Sequence, residues 1–156
     1  AVSQLRAASA ALTALRNEMQ SLAASLPEYP VVMGMFGVGP ALGPQLMAEI
    51  GDVRRFHSKK ALVAFAGIDA PPYQSGQIEV RSRSISKRGS SALRRTLFLV
   101  MSVILQRSPA DEPVYQFMDR KRAEGKPYRV YMMASANKFL RIYYATVKQY
   151  LDSLEA

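Results

Sequence analysis

The sequence predicts a mainly α protein: an N-terminal coiled-coil helix over residues 1–29, then a compact helical domain over residues 30–156. Three observations predict it. Ala1, Leu5, Ala8, Leu12, Leu15, Met19, Leu22 and Leu26 recur in alternating steps of four and three, the a/d seam of a coiled coil. Further segments with helical spacing begin at capping residues or proline, and several stop at glycine. Only residues 68–85 break the helical period over a long stretch.

The elements follow in order. The heptad helix ends ahead of Pro27 and Pro30. Its seam fits either an amphipathic helix folded onto its own domain or, as the narrowness favours, half of a coiled coil. The apolar run Val31 to Phe36, the turn Gly37-Val38-Gly39-Pro40 and a helix from Ala41 to Ile50 resemble a helix-hairpin-helix at about 31–51. Such a module contacts nucleic-acid backbones because glycine admits close approach and N–H groups at a helix start attract phosphate. An ordinary tight turn remains the alternative. Ser58 caps a helix from Lys59 to Ala66, closed by Gly67. Residues 68–85 form an irregular or short β loop, with Ser75-Gly76 as a turn tip. A loop of that length in so short a chain points to function.

Ser86-Lys87-Arg88-Gly89-Ser90-Ser91 leads into a helix with Leu93, Leu97, Val100, Met101, Ile104 and Leu105 on one side. Lys87, Arg88, Arg94 and Arg95 crowd its start, where cations oppose the helix dipole at a few tenths to about 1 kcal/mol each. A bound phosphate would reverse that penalty, so an anion site is expected there. A helix from Val114 to Ala123 follows, with Asp111 and Glu112 favourable at its start. The last helix, about Pro127 to Leu154, offers Met133, Leu140, Tyr143, Tyr144, Val147 and Leu151 to the core.

Composition narrows the function. The 156 residues carry 21 Lys+Arg against 12 Asp+Glu, a formal charge of +9, and 49% are hydrophobic, enough for a real core. The excess is uneven: net −1 over residues 1–50, +8 over 51–108 and +2 over 109–156. A solvated face normally mixes signs, so the middle third reads as a polyanion-binding surface. With no Cys and one His, disulfide scaffolds, structural zinc, thiol catalysis and iron–sulfur sites are excluded. No apolar run reaches the roughly 18 residues of a membrane span, so no membrane partner and a cytoplasmic location are expected.

Few residues invite chemistry. His57 reads as a loop histidine, and helix-end or turn roles suffice for Asp52 and Asp69. No metal site is expected within these residues. Ser75 differs, because Arg81, Arg83, Lys87 and Arg88 follow within 13 positions. A serine attacking phosphorus needs exposure and nearby cations to stabilise the transition-state oxygens. A plain turn serine is the alternative from spacing alone.

Several blocks then occur together. Gly37-Val38-Gly39-Pro40, Glu49-Ile50-Gly51-Asp52 with Arg55-Phe56, Phe65-Ala66-Gly67, Gln74-Ser75-Gly76, Ile85-Ser86-Lys87-Arg88-Gly89, Leu93-Arg94-Arg95, Gly125-Lys126-Pro127 and Asn137-Lys138-Phe139-Leu140 keep one order. From about Val31 to Tyr150 the chain resembles the C-terminal domain of insertion-sequence transposases of the IS-one-ten type (DEDD transposases), relatives of the Piv DNA invertases. The resemblance implies a bacterial, nucleoid-associated recombinase in which Ser75 becomes transiently linked to DNA as a phosphoserine. It implies nucleic-acid contacts at Gly37, Gly39, Gln74, Gly76, Arg81, Arg83, Lys87, Arg88, Arg94 and Arg95. It also implies DNA as partner, a guide (bridge) RNA, and homo-oligomerisation through the coiled coil and a further domain. That further domain, RuvC-like, would carry four acidic residues and the divalent metal, Mg; no cofactor is expected in these residues. The 156 residues contain no such domain, so the chain alone is expected to bind nucleic acid without completing recombination. A non-catalytic helix-hairpin-helix module is the second reading, and a coiled-coil oligomerisation piece with an RNA-scaffolding patch the third.

Overall fold

The structure, a computed structural model, describes residues 1–70 and 84–156. Among the described residues there are seven α-helices and no strand: α1 Val2–Ala24, α2 Tyr29–Met33, α3 Leu42–Ile50, α4 Lys59–Ala66, α5 Ser91–Arg107, α6 Pro113–Ala123 and α7 Tyr128–Leu154. One 3-10 turn, Val53–Arg55, links α3 to α4. The chain is therefore mainly α. The expected short extended stretches within residues 68–85 fall mostly on residues outside the description.

Each helix start has a local cause. Ser58 Oγ accepts from Ala61 N at 3.2 Å, Ser90 Oγ from Leu93 N at 3.0 Å, and a Glu112 carboxylate oxygen from Tyr115 N at 2.6 Å. These side chains satisfy donors that a helix start leaves orphaned. Gly67 closes α4 in the left-handed region at φ +65.

α7 is the hub, packing against α2, α4, α5 and α6, while α3 lies along α5. Its core stripe is Met132, Ala136, Phe139, Leu140, Tyr143, Val147 and Leu151, all buried. These meet Leu93, Leu97, Val100, Met101 and Ile104 from α5, and Leu46, Ile50 and Leu62 from α3 and α4. Truncating one such side chain to alanine costs about 2–5 kcal/mol. Burial raises the Tyr143 phenol pKa, with the Glu28 carboxylate adding to the effect. Two of the residues offered to the core pack at its edge. Met133 is half-buried against it, beside the fully buried Met132. Tyr144 is also only half-buried and donates its hydroxyl to the Phe56 carbonyl at 3.0 Å.

α1 joins the rest only at its end. Ala23 is buried and Met19 half-buried, whereas Leu5, Leu12, Leu15 and Leu22 are 71%, 48%, 64% and 65% exposed. The seam is not covered by the chain's own domain. The helix stops at Ala24, where Ser25 Oγ donates to the Leu22 carbonyl at 2.6 Å, two residues ahead of Pro27. The segment resembling a helix-hairpin-helix comprises the five residues of α2, a turn over residues 34–41, and α3.

Candidate nucleic-acid interface

Residues 86–90 lie by their backbone on the C-terminal end of α4. Ser86 N donates to the Asp69 carbonyl at 2.9 Å, Lys87 N to the Gly67 carbonyl at 3.0 Å, and Ser90 N to the Phe65 carbonyl at 2.7 Å. Ser86 Oγ also donates to the Asp69 carboxylate. The approach is close enough to require glycine twice. A Cβ on Gly89 would collide with the Phe65 carbonyl, and one on Gly67 would lie 2.7 Å from Gly89 N. Lys87 sits between them at φ +55, a left-handed conformation that costs a non-glycine residue free energy. The side chains of Lys87 and Arg88 are exposed as a result.

Arg94 is partly committed to the fold. Its Nη1 donates to the Ala66 carbonyl at 3.0 Å and lies 3.3 Å from that of Gly89. A guanidinium at the carbonyl end of α4 is favourably placed, which offsets its unfavourable position at the start of α5. Ser90 hydrogen-bonds both to Leu93 N and, at 3.0 Å, to the Glu49 carboxylate. The start of α5 thus already has an anion of the chain nearby.

Other cations of the middle third are also occupied. Arg54 pairs with Asp52 and with Glu155. The Arg54 hydrogen bonds hold the Asp52 carboxyl below the usual range, and Asp52 in turn raises the guanidinium's own pKa. Arg55 stacks on Phe56 and Phe65, with its Cζ 4.5 and 4.8 Å from their ring centroids, and its Nε donates to the Ile50 carbonyl at 2.9 Å. Lys59, Lys60, Lys87, Arg88 and Arg95 are exposed. Asp52 and Asp69 have the turn roles expected of them, and His57 is exposed.

Lys87, Arg94 and Arg95 border a groove of about 1120 Å3 between the start of α5, α6 and the first half of α7. Arg129, Lys138 and Arg141 of α7 face it from the other side, and Phe98, Phe117, Val130 and Met133 contribute its apolar floor. No Asp or Glu is among the described lining residues. Ala70 and Ser84, the described residues on either side of positions 71–83, both lie on the rim. Ser75, Gln74, Gly76, Arg81 and Arg83 themselves lie outside the described residues.

The sequence reading missed the α7 side. Val130, Met133, Ala134, Asn137, Lys138 and Arg141 follow helical spacing on a second face, beside the core stripe, where mixed apolar and basic types hid the periodicity. The Gly37 turn has a packing explanation: at φ +81, a Cβ there would lie 2.8 Å from Ile104 Cγ1 and 3.2 Å from the Val100 carbonyl. Gly39 has open space around its Cβ position. Both glycines line a shallow groove with Phe36, Leu42, Val103 and Arg107. Among the described residues, no cluster of three or more His, Cys, Asp or Glu side chains could hold a metal ion. No helix among the described residues is long and apolar enough to cross a membrane.

Residues 29–116 match the model of the Transposase IS116/IS110/IS902 family. The chain is 31% identical over 134 residues to a pilin gene-inverting protein of Moraxella bovis, covering 85% of this chain and 38% of that protein. Identity to the pilin gene-inverting protein of Moraxella lacunata is 29% over 143 residues, covering 88% and 44% respectively. A transposase for insertion sequence element IS1111A of Coxiella burnetii is 34% identical over 80 residues, 51% of this chain and 22% of its own length. The chain thus spans about two fifths of the length of the two pilin gene-inverting proteins it matches.

Proposed function

Because the chain belongs to the Transposase IS116/IS110/IS902 family, we propose that it is the part of a DNA recombinase that holds the nucleic acid and supplies Ser75 as nucleophile. The observation that carries this reading is the basic groove, whose lining includes Ala70 and Ser84, the described residues that flank positions 71–83 in the sequence. Ser75 Oγ attacks the phosphorus of a scissile phosphodiester and forms an O–P bond. Its proton passes to a base, the bond from phosphorus to one sugar oxygen breaks, and that oxygen leaves as a hydroxyl. The phosphoserine conserves the phosphodiester for rejoining to another strand. Lys87, Arg88 and Arg95, with Arg81 and Arg83, neutralise charge on the non-bridging oxygens as the transition state crowds them.

The divalent metal that the resemblance implies would be held by acidic residues of a further domain, outside these 156 residues. DNA is the substrate, and a guide RNA that pairs with it shares the basic surface. The exposed seam of α1 joins two copies as a parallel or antiparallel coiled coil. In the complete recombinase, Ser75→Ala is expected to abolish the covalent protein–DNA adduct while leaving DNA affinity within about twofold. An adduct that persists in this variant contradicts the assignment. Strand cleavage by the 156-residue chain alone contradicts the division of labour.

A non-catalytic binding module is the second reading, favoured by the turn at Gly39, which has open space and borders Arg107. It predicts full affinity for DNA and no adduct at any residue.

A further inference from the structure

The groove between α5, α6 and α7 has two chemistries in one place, a cationic rim and an aromatic floor. Six cations line it, three from the 86–95 side and three from α7, with no carboxylate among the described lining residues. Cations within a helical domain usually face carboxylates; the described lining here is cationic and suits a polyanion. The floor is not what a duplex backbone needs. Phe98 and Phe117 both line it, Phe117 is half-buried, and the Lys138 ammonium stands 5.3 Å from the Phe117 ring centroid. Arg120 and Lys121 flank the same ring at 5.4 and 5.7 Å. Phe98 continues edge-to-face into Tyr128, at 6.1 Å, and Tyr128 into Tyr131, at 5.4 Å. An aromatic surface bordered by cations suits an unpaired base with its phosphates held on either side, because every base has a π face and every linkage a charge.

We propose that this groove binds a single-stranded nucleic-acid segment, with one unstacked base on Phe117 and the flanking phosphates on Lys138 and Arg141 on one side and Arg95 and Lys87 on the other. Charge complementarity selects a nucleic-acid strand over an apolar peptide, and the aromatic floor selects an unpaired strand over a duplex. The inference rests on the nucleic-acid reading of the domain and adds to it the kind of strand that this face takes. Asn137, whose Oδ1 accepts from Arg141 Nε at 2.8 Å, orients the guanidinium toward the rim.

The test uses the 156-residue chain and three probes: a 12-nucleotide single strand, its blunt duplex, and the same strand with abasic sugars throughout. The expected result is single-strand affinity at least fivefold above duplex affinity. Phe117→Ala lowers single-strand affinity about tenfold, changes duplex affinity less than twofold, and has no effect on the abasic strand. Phe117→Tyr retains the affinity, which separates stacking from folding. Arg141→Gln, an exposed position, lowers the slope of log K against log salt by about 0.7 for the single strand. Equal single-strand binding by folded Phe117→Ala overturns the proposal. So does equal loss on all three probes, or a change in the oligomeric state of the free variant, which would make the groove a contact between copies. If the chain binds duplex but prefers no single strand, this inference alone falls; if it binds no nucleic acid, the proposed function falls with it.

Discussion

Gly67 and Gly89 show how much of this molecule is decided by single atoms. The two backbones cross at a distance that leaves no room for a methyl group on either residue, and Lys87 adopts a left-handed conformation to complete the crossing. Gly89→Ala is therefore expected to destabilise the chain by about 3 kcal/mol, whereas Gly39→Ala, which meets open space, stays within about 0.5 kcal/mol. Urea unfolding of the two variants measures both; equal midpoints would contradict the crossing. Arg94 separates structure from binding in the same way. Its hydrogen bond to the Ala66 carbonyl makes Arg94→Ala cost about 1–3 kcal/mol of stability. Lys87→Ala removes only an exposed side chain, so it leaves the unfolding midpoint in place while weakening binding and its salt dependence. A stable Arg94→Ala protein would show that the carbonyl contact contributes nothing. The sequence made Lys87, Arg88, Arg94 and Arg95 equivalent as cations. Nothing in their spacing revealed that Arg94 also caps a helix end contributed by residues 28 positions earlier, because that contact exists only after folding.

The helices themselves were readable. Ser58, Ser90 and Glu112 stand where a donor-rich helix start needs an acceptor, and Gly67 stands where α4 turns left-handed. Local signals of this kind act over three or four residues and do not depend on the rest of the fold. The two faces of α7 were less readable. Its core stripe and its groove stripe both contain apolar residues: Met133 packs at the edge of the core and also lines the groove, and nothing in the spacing marked Arg129 and Arg141 as facing it. α1 is the reverse case: the periodicity was plain, and the structure adds that its leucines face no part of the same domain. At 23 residues the helix is about 34 Å long, more apolar length than Ala23 and Met19 can cover. Leu5→Asp with Leu12→Asp is expected to shift the chain from dimer to monomer in sedimentation velocity, with helix content over α2–α7 unchanged. A monomeric parent chain, or a dimer that survives both substitutions, would contradict the coiled coil.

At the scale of the whole molecule, the charge of +9 resolves into three uses. Arg54 and Arg55 brace the link between α3 and α4, Arg94 ties α5 to α4, and Lys87, Arg95, Arg129, Lys138 and Arg141 join Arg94 around a groove whose rim includes Ala70 and Ser84. The middle third of the sequence located one side of that groove, and α7 supplied the other from some 40 residues further on. A polyanion surface assembled from distant segments is legible in sequence only as an excess of charge, since the topology decides which cations meet. The proposed chemistry is attack of a nucleophilic serine on a phosphodiester held at this surface. Mass spectrometry of peptides from a trapped adduct, formed by the complete recombinase on its DNA, tests it most directly. The expected product is a nucleotide joined through phosphate to Ser75 and to no other residue. A nucleotide on a different side chain, or cleavage that leaves no covalent link to the protein, would contradict it.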